Sequence, residues 1–170
     1  MHTPERMARS LELARRNLTT VFKRTIETWK IASVGALNRF IAIGGEGLFP
    51  TPDNTYVVCW YRIGADQLML VRGTMPKARY VSFCLYNVWM ESLDYHLHTI
   101  HTNSKLAITR PDGSVRVVVA HRDPGVPNWI RTAGHSFGAM CWRWVKPESM
   151  DGAPEPTTRV VKLDDAKGLP

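Results

Sequence analysis

Residues Thr55–Arg62 read Thr-Tyr-Val-Val-Cys-Trp-Tyr-Arg. Side chains branched at Cβ, or aromatic, lose rotamer freedom against a helical turn and fit a pleated surface, so this composition predicts a strand. Downstream, Gln67–Val71, Arg79–Tyr86, Lys105–Thr109, Ser114–Ala120 and Phe137–Val145 have the same character, and Thr157–Leu163 reads as a last edge strand. Turn formers separate the runs. Arg110-Pro111-Asp112-Gly113 stands between two of them and reads as a tight hairpin, because glycine supplies the positive φ the turn requires. Short strands at this spacing, with no helices between them, point to a mainly β, antiparallel sandwich or barrel and away from a parallel α/β sheet, the sandwich being the expected form.

Upstream the period changes. From Pro4 to about Trp29 the apolar residues Met7, Leu11, Leu18, Val21, Phe22, Ile26 and Trp29 fall on one side of a helix, with Ala14 among them. Thr3 is placed to cap it and Pro4 fits its first position. Arg9, Arg16, Lys23, Arg24 and Lys30 line the other face, a pattern that serves either an anionic membrane surface or, more ordinarily, the cover of a core. A weaker helical stretch, Ile31–Ile43, stops at Gly44-Gly45-Glu46-Gly47 before Pro50 and Pro52. Those glycines lack the preceding strand and the following Gly-Lys-Ser/Thr of a phosphate loop, so they read as a linker. The chain is therefore divided into an N-terminal helical segment, 1–49, packing on a β-sandwich domain, 50–170.

With 170 residues, 44% hydrophobic and 22% charged, the chain has the make-up of one globular core and not of a disordered or fibrous protein. A formal charge of +7 favours acidic partners, but the basic residues are scattered and form no consecutive run, so no nucleic-acid partner is predicted. Cys59, Cys84 and Cys141 lie far apart between apolar neighbours and read as small core residues. Their odd number and the lack of a CxxC fit a reducing compartment. Charges at Glu5, Arg6, Arg9, Glu12, Arg15 and Arg16 leave no apolar signal region, and the expected location is the cytoplasm.

Candidate chemistry centres on histidine. In Tyr95-His96-Leu97-His98-Thr99-Ile100-His101 an extended backbone would put His96 and His98 on one face, within reach of one metal ion, with His101 on the other. A third ligand would have to come from Asp94, Asp123, His121 or His135, and solvated loop histidines are the plainer reading. No cofactor is predicted. A second cluster, His121-Arg122-Asp123-Pro124-Gly125, follows a strand and leads to Asn128-Trp129, as a binding rim or a structured turn would. Asp94 with His121 or His135 could orient a general base toward Ser92, Ser136 or Tyr95, but no GxSxG elbow supports it. Glu91 and Asp94 do not make a glycosidase pair. Some of the many strand aromatics must face inward, leaving Trp89 or Trp129 to line a pocket.

Several segments resemble the bacterial family known only as domain of unknown function 1214, which often occurs with a companion domain numbered 1254. They are Pro76–Tyr80 leading into Ser82–Asn87, then Trp89–Tyr95, Pro111–Ser114, His121–Trp129, Ala133-Gly134-His135 and Trp142-Arg143-Trp144. The likeness spans about Tyr56 to Leu163. It implies a jelly-roll-like β-sandwich and no particular reaction, with the helical segment 1–49 standing where longer members carry the companion domain.

The leading expectation is a binding or accessory protein for a small, partly apolar metabolite such as a lipid, steroid or terpenoid-like compound. Its candidate site residues are Arg79, Trp89, Asp94, Tyr95, His121, Arg122, Asp123, Asn128, Trp129 and His135. A hydrolase, isomerase or metal-dependent oxidase using the His/Asp set is the alternative. A homo-oligomeric interaction protein is a third, and docking on a membrane surface is not favoured.

Overall fold

A computed structural model describes residues 3–23, 27, 35–42, 53–149 and 155–168, which fall into two compact units, Met1–Gly35 and Ala36–Pro170. In the first, α1 spans Pro4–Arg16 and runs on as a π-helical turn, Asn17–Phe22. Thr3 caps it as expected, its Oγ1 accepting the Arg6 N–H at 3.3 Å, and Pro4 opens the first turn. No residue of α1 is buried, and Leu11 is 64% exposed. Among the described residues no helix is long and apolar enough to cross a membrane. The C-terminal part of the expected first helix, the Gly44–Gly47 linker, Pro50 and Pro52 lie outside the described residues.

The second unit is mainly β. Its strands are β1 (Phe40–Ala42), β2 (Asn54–Arg62), β3 (Gln67–Thr74), β4 (Ala78–Tyr86), β5 (His101–Asn103), β6 (Ser114–Ala120), β7 (Trp129–Arg131), β8 (Phe137–Pro147) and β9 (Thr157–Lys162). They form a five-stranded sheet in the order β1-β2-β8-β4-β5 and a four-stranded sheet in the order β7-β6-β3-β9. Every pairing is antiparallel except β6 with β7, which is parallel.

Two expectations fail for local reasons. Lys105–Thr109 is a turn: the Asn103 carboxamide oxygen takes the N–H groups of Lys105 (2.9 Å) and Leu106 (3.2 Å), which a ladder would have needed. Only Thr109 bridges, to Val115. Within Ile31–Ile43 the described part is a turn and strand β1. Asn38 sits at φ 60, accepts the Arg62 N–H at 2.7 Å and docks this stretch on the end of β2. The chain from Ala36 onward thus belongs with the sandwich.

Alternation along the strands sorts side chains between faces. Cys59 and Tyr61 of β2, Met69 and Val71 of β3, Val81, Phe83 and Leu85 of β4, Val117 and Val119 of β6, and Met140, Trp142 and Trp144 of β8 share one core between the sheets. The opposite parity of β3 and β6 faces outward. At the end where β3 begins, that outer face is covered: Leu68, Leu70, Val118 and Ala120 pack under Leu163 and Ala166 of a 3-10 helix, Leu163–Gly168, with Trp129 against them. Further along the same two strands come Arg72, Thr74, Ser114 and Arg116.

Candidate functional site

The polar residues singled out in the sequence are mostly consumed in shaping loops. Asp94 caps a turn, its carboxylate oxygen accepting the N–H groups of His96 (2.9 Å) and Leu97 (3.2 Å). Asp123 accepts the Gly125 N–H at 2.7 Å, where Gly125 takes φ 71. Asn87, not a candidate, organises the turn carrying Trp89 by accepting the Trp89 and Glu91 N–H groups at 2.9 and 3.1 Å. Asn128 is a clamp. At φ 55 it accepts the Ile108 N–H at 2.8 Å and donates to the carbonyls of Ile108 and Arg116 at 2.8 and 2.9 Å. Trp129 packs on the outer cluster and its indole N–H points to the Ala120 carbonyl at 3.4 Å.

Nor do these residues all share one rim. Arg79 lies at the start of β4, whereas Asp94 and Tyr95 follow that strand's other end, roughly 25 Å away at the usual rise. His121 and Arg122 follow β6 at that same far end, where β3 begins and Arg122 meets Asp66 in an exposed pair at 3.4 Å. His121 Nδ1 is 2.7 Å from Oγ1 of the buried Thr132, and His135 follows the tight turn at Ala133-Gly134. The Tyr95 and His96 rings lie against each other at a 35° tilt, with centroids 4.4 Å apart. His101 lies in β5 opposite Cys84, and His96 is exposed. Among the described residues no three His, Cys, Asp or Glu side chains gather as a metal site.

What the fold does gather was not anticipated. Arg72 in β3 lies directly opposite Arg116 in β6 on one side and Thr157 in β9 on the other. Met69 and Val71 point into the inter-sheet core, so Arg72 points out, and Arg116 does likewise between Val115 and Val117. The hairpin before β6 closes as expected, with Gly113 at φ 77 and its N–H on the Arg110 carbonyl at 2.9 Å. It swings Arg110 to the same place. Arg72, Arg110, Arg116, Thr74, Ser114 and Thr157 line an open depression of about 410 Å³, to which Asp112 and Glu155 also contribute. A smaller one of about 180 Å³ shares Arg72 and Thr157 and adds Leu70, Thr158 and Arg159.

The electrostatics match the geometry. Partial burial, followed by the neighbouring charges of Arg110 and Arg72, holds the Arg116 guanidinium below the usual arginine range. Like charges directly opposed across a ladder destabilise a sheet, so a fold that keeps them together has placed a positive field in a concavity. Asp112 is held below the usual carboxylate range chiefly by the Ser114 hydroxyl, then by the Ser114 backbone N–H, which it accepts at 2.9 Å, and in smaller part by Arg110. Its carboxylate is thereby tied to its own hairpin. Guanidiniums and hydroxyls lining one depression are groups that recognise negative charge.

The sequence matches no family model and no curated protein. Solved structures do resemble it. An uncharacterised protein from Burkholderia cenocepacia is 33% identical over 85% of this chain and 39% of its own, with a TM-score of 0.72. The VPA0106 protein from Vibrio parahaemolyticus is 17% identical over 95% of this chain and 47% of its own, with a TM-score of 0.52, a likeness of fold alone. The chain spans less than half the length of either.

Proposed function

We propose that the sandwich is a small-molecule-binding domain whose ligand is anionic and seats in the arginine depression on the outer face of the four-stranded sheet. One observation carries the reading: Arg72, Arg110 and Arg116, brought from two strands and a hairpin, line a single concavity large enough for a metabolite. The smaller depression with Leu70 in its wall gives room for the less polar part of such a ligand. Binding fits better than catalysis because Asp94 and Asp123 are spent on capping turns and the His121 ring is held by Thr132. Membership of the domain of unknown function 1214 family, a jelly-roll-like winding and a cytoplasmic location belong to the same proposal. Their support is the ordered run of motifs, the alternation of β2, β3 and β4 between the sheets, and three free cysteines.

Titration of the protein with small organic anions and their neutral analogues, read on the arginine side-chain N–H resonances, tests the proposal. Saturable shifts at Arg72, Arg110 and Arg116 with anions only are expected. The absence of saturable binding by any anion would end it.

A further inference from the structure

We infer that Cys84 and Cys141 are a cross-strand dithiol that a low-molecular-weight disulfide oxidises to a reversible disulfide bond, a site independent of the arginine depression. Register carries the inference. Cys84 of β4 lies directly opposite Cys141 of β8. Phe83 and Leu85 on one strand, and Met140 and Trp142 on the other, point into the core between the sheets, so both thiols stand on the opposite face of the five-stranded sheet. Opposed residues of an antiparallel pair hold their Cα atoms about 4.5–5.5 Å apart, within the roughly 4.4–6.8 Å that a disulfide spans. The bond can therefore close without moving the backbone. Cys59, by contrast, faces the core from β2, and all three thiols are free.

Unequal burial divides the roles. Cys84 is partly exposed, whereas Cys141 is only 5% exposed. The Cys84 thiolate attacks one sulfur of the small disulfide, forming a mixed disulfide and expelling one small thiol. The Cys141 thiolate then attacks Cys84 Sγ, closes the protein disulfide and expels the other. The dithiol gives up two electrons and two protons, and the small disulfide takes them up as two thiols. On the shared face Arg143 flanks the pair from β8 and Tyr86 from β4, His101 lies opposite Cys84 in β5, and Tyr56 of β2 lies under Arg143. Burial holds both thiols protonated, but it does not act against a disulfide, which has no proton to lose. Arg143 opposes that shift and so favours the attacking thiolate. Such a pair suits the reducing compartment proposed above, where protein disulfides are transient and redox-sensing.

The test incubates the native full chain with glutathione disulfide at about pH 8.5, near the ordinary thiol pKa, quenches it in acid and maps the cysteines by mass spectrometry. A bond between Cys84 and Cys141 is expected, forming at least tenfold faster than any modification of Cys59, and reduced glutathione should reverse it. Cys141→Ser lacks the resolving thiol and should instead accumulate a glutathionyl group on Cys84. Cys84→Ser should react at least tenfold more slowly than the parent. The mapping of the parent chain depends on no variant folding. No bond in the native chain, a bond that forms only in urea, a mixed disulfide that persists at Cys84 in the parent, or a bond to Cys59 would each overturn the inference.

Discussion

At the scale of single residues, Asn128 and Gly138 hold positions no other side chain fills. Asn128 adopts the left-handed region at φ 55 and makes three hydrogen bonds to the backbone of two separate segments. Asn128→Ala removes all three and adds backbone strain, and it should cost about 2–4 kcal/mol in a urea titration. Asn128→Gly relieves the strain without restoring the bonds, so its loss should be smaller by about 1 kcal/mol. Equal losses would show that conformation contributes nothing there. Gly138 is constrained by space. A Cβ would press on the Tyr86 carbonyl oxygen across the β4–β8 ladder and lie 3.0 Å from the Tyr61 hydroxyl. Neither is the end of a flexible chain. Gly138→Ala should therefore separate these strands or fail to fold, giving no cooperative transition, whereas Gly113→Ala, with open space around it, should cost only the positive-φ penalty of about 1 kcal/mol.

At the scale of elements, the Arg110–Ser114 hairpin offers a pH test. Asp112 has a depressed pKa in the folded chain, so its hydrogen bonds contribute above its unfolded value and are lost as pH falls through the folded one. Amide exchange at Ser114 should accelerate in acid relative to Val117–Val119 of the same strand, and Asp112→Ala should show the fast rate already at neutral pH. The same scale explains what the sequence could and could not reveal. The strands β2, β3, β4, β6 and β8 were legible within a few residues because long runs of β-branched and aromatic side chains leave no helical alternative. The three-residue strands β1, β5 and β7 carry too little pattern to read; pairing partners make them strands. Lys105–Thr109 had the composition of a strand and lost it to one carboxamide at Asn103. The site was harder. Parity places Arg72 and Arg116 on the outward face of their strands, a signal available in QLMLVRGT and SVRVVVA, but their opposition depends on register between strands about forty residues apart. The histidines attracted attention by proximity along the chain, which a turn capped by Asp94 then dispersed.

At the scale of the whole molecule, the dominant fact is that ionisable groups have been taken into the sandwich uncharged. Burial pushes the thiols of Cys59 and Cys84 and the phenols of Tyr61 and Tyr86 upward, with the neighbouring thiols adding to the effect at Tyr86. Burial likewise pushes Cys141 up to about 11, with Arg143 alongside opposing the shift. For a group raised on folding, the contribution to stability is complete below the unfolded pKa, about 8.5 for a thiol and 10 for a phenol, and disappears as pH climbs through the folded value. The unfolded chain ionises first and is favoured. The protein should therefore keep a constant urea midpoint from pH 7 to about 8.5 and lose stability steadily above it, on the order of 2–3 kcal/mol from Cys141 alone by pH 11. Lysines also titrate in this range, so the decisive measurement is a difference. Cys141→Ala should start less stable at pH 7.5 because of its lost packing, yet fall less steeply than the parent between pH 8.5 and 10.5, bringing the two curves together. Curves that stay parallel would mean that the Cys141 thiol ionises as readily in the sandwich as in the unfolded chain.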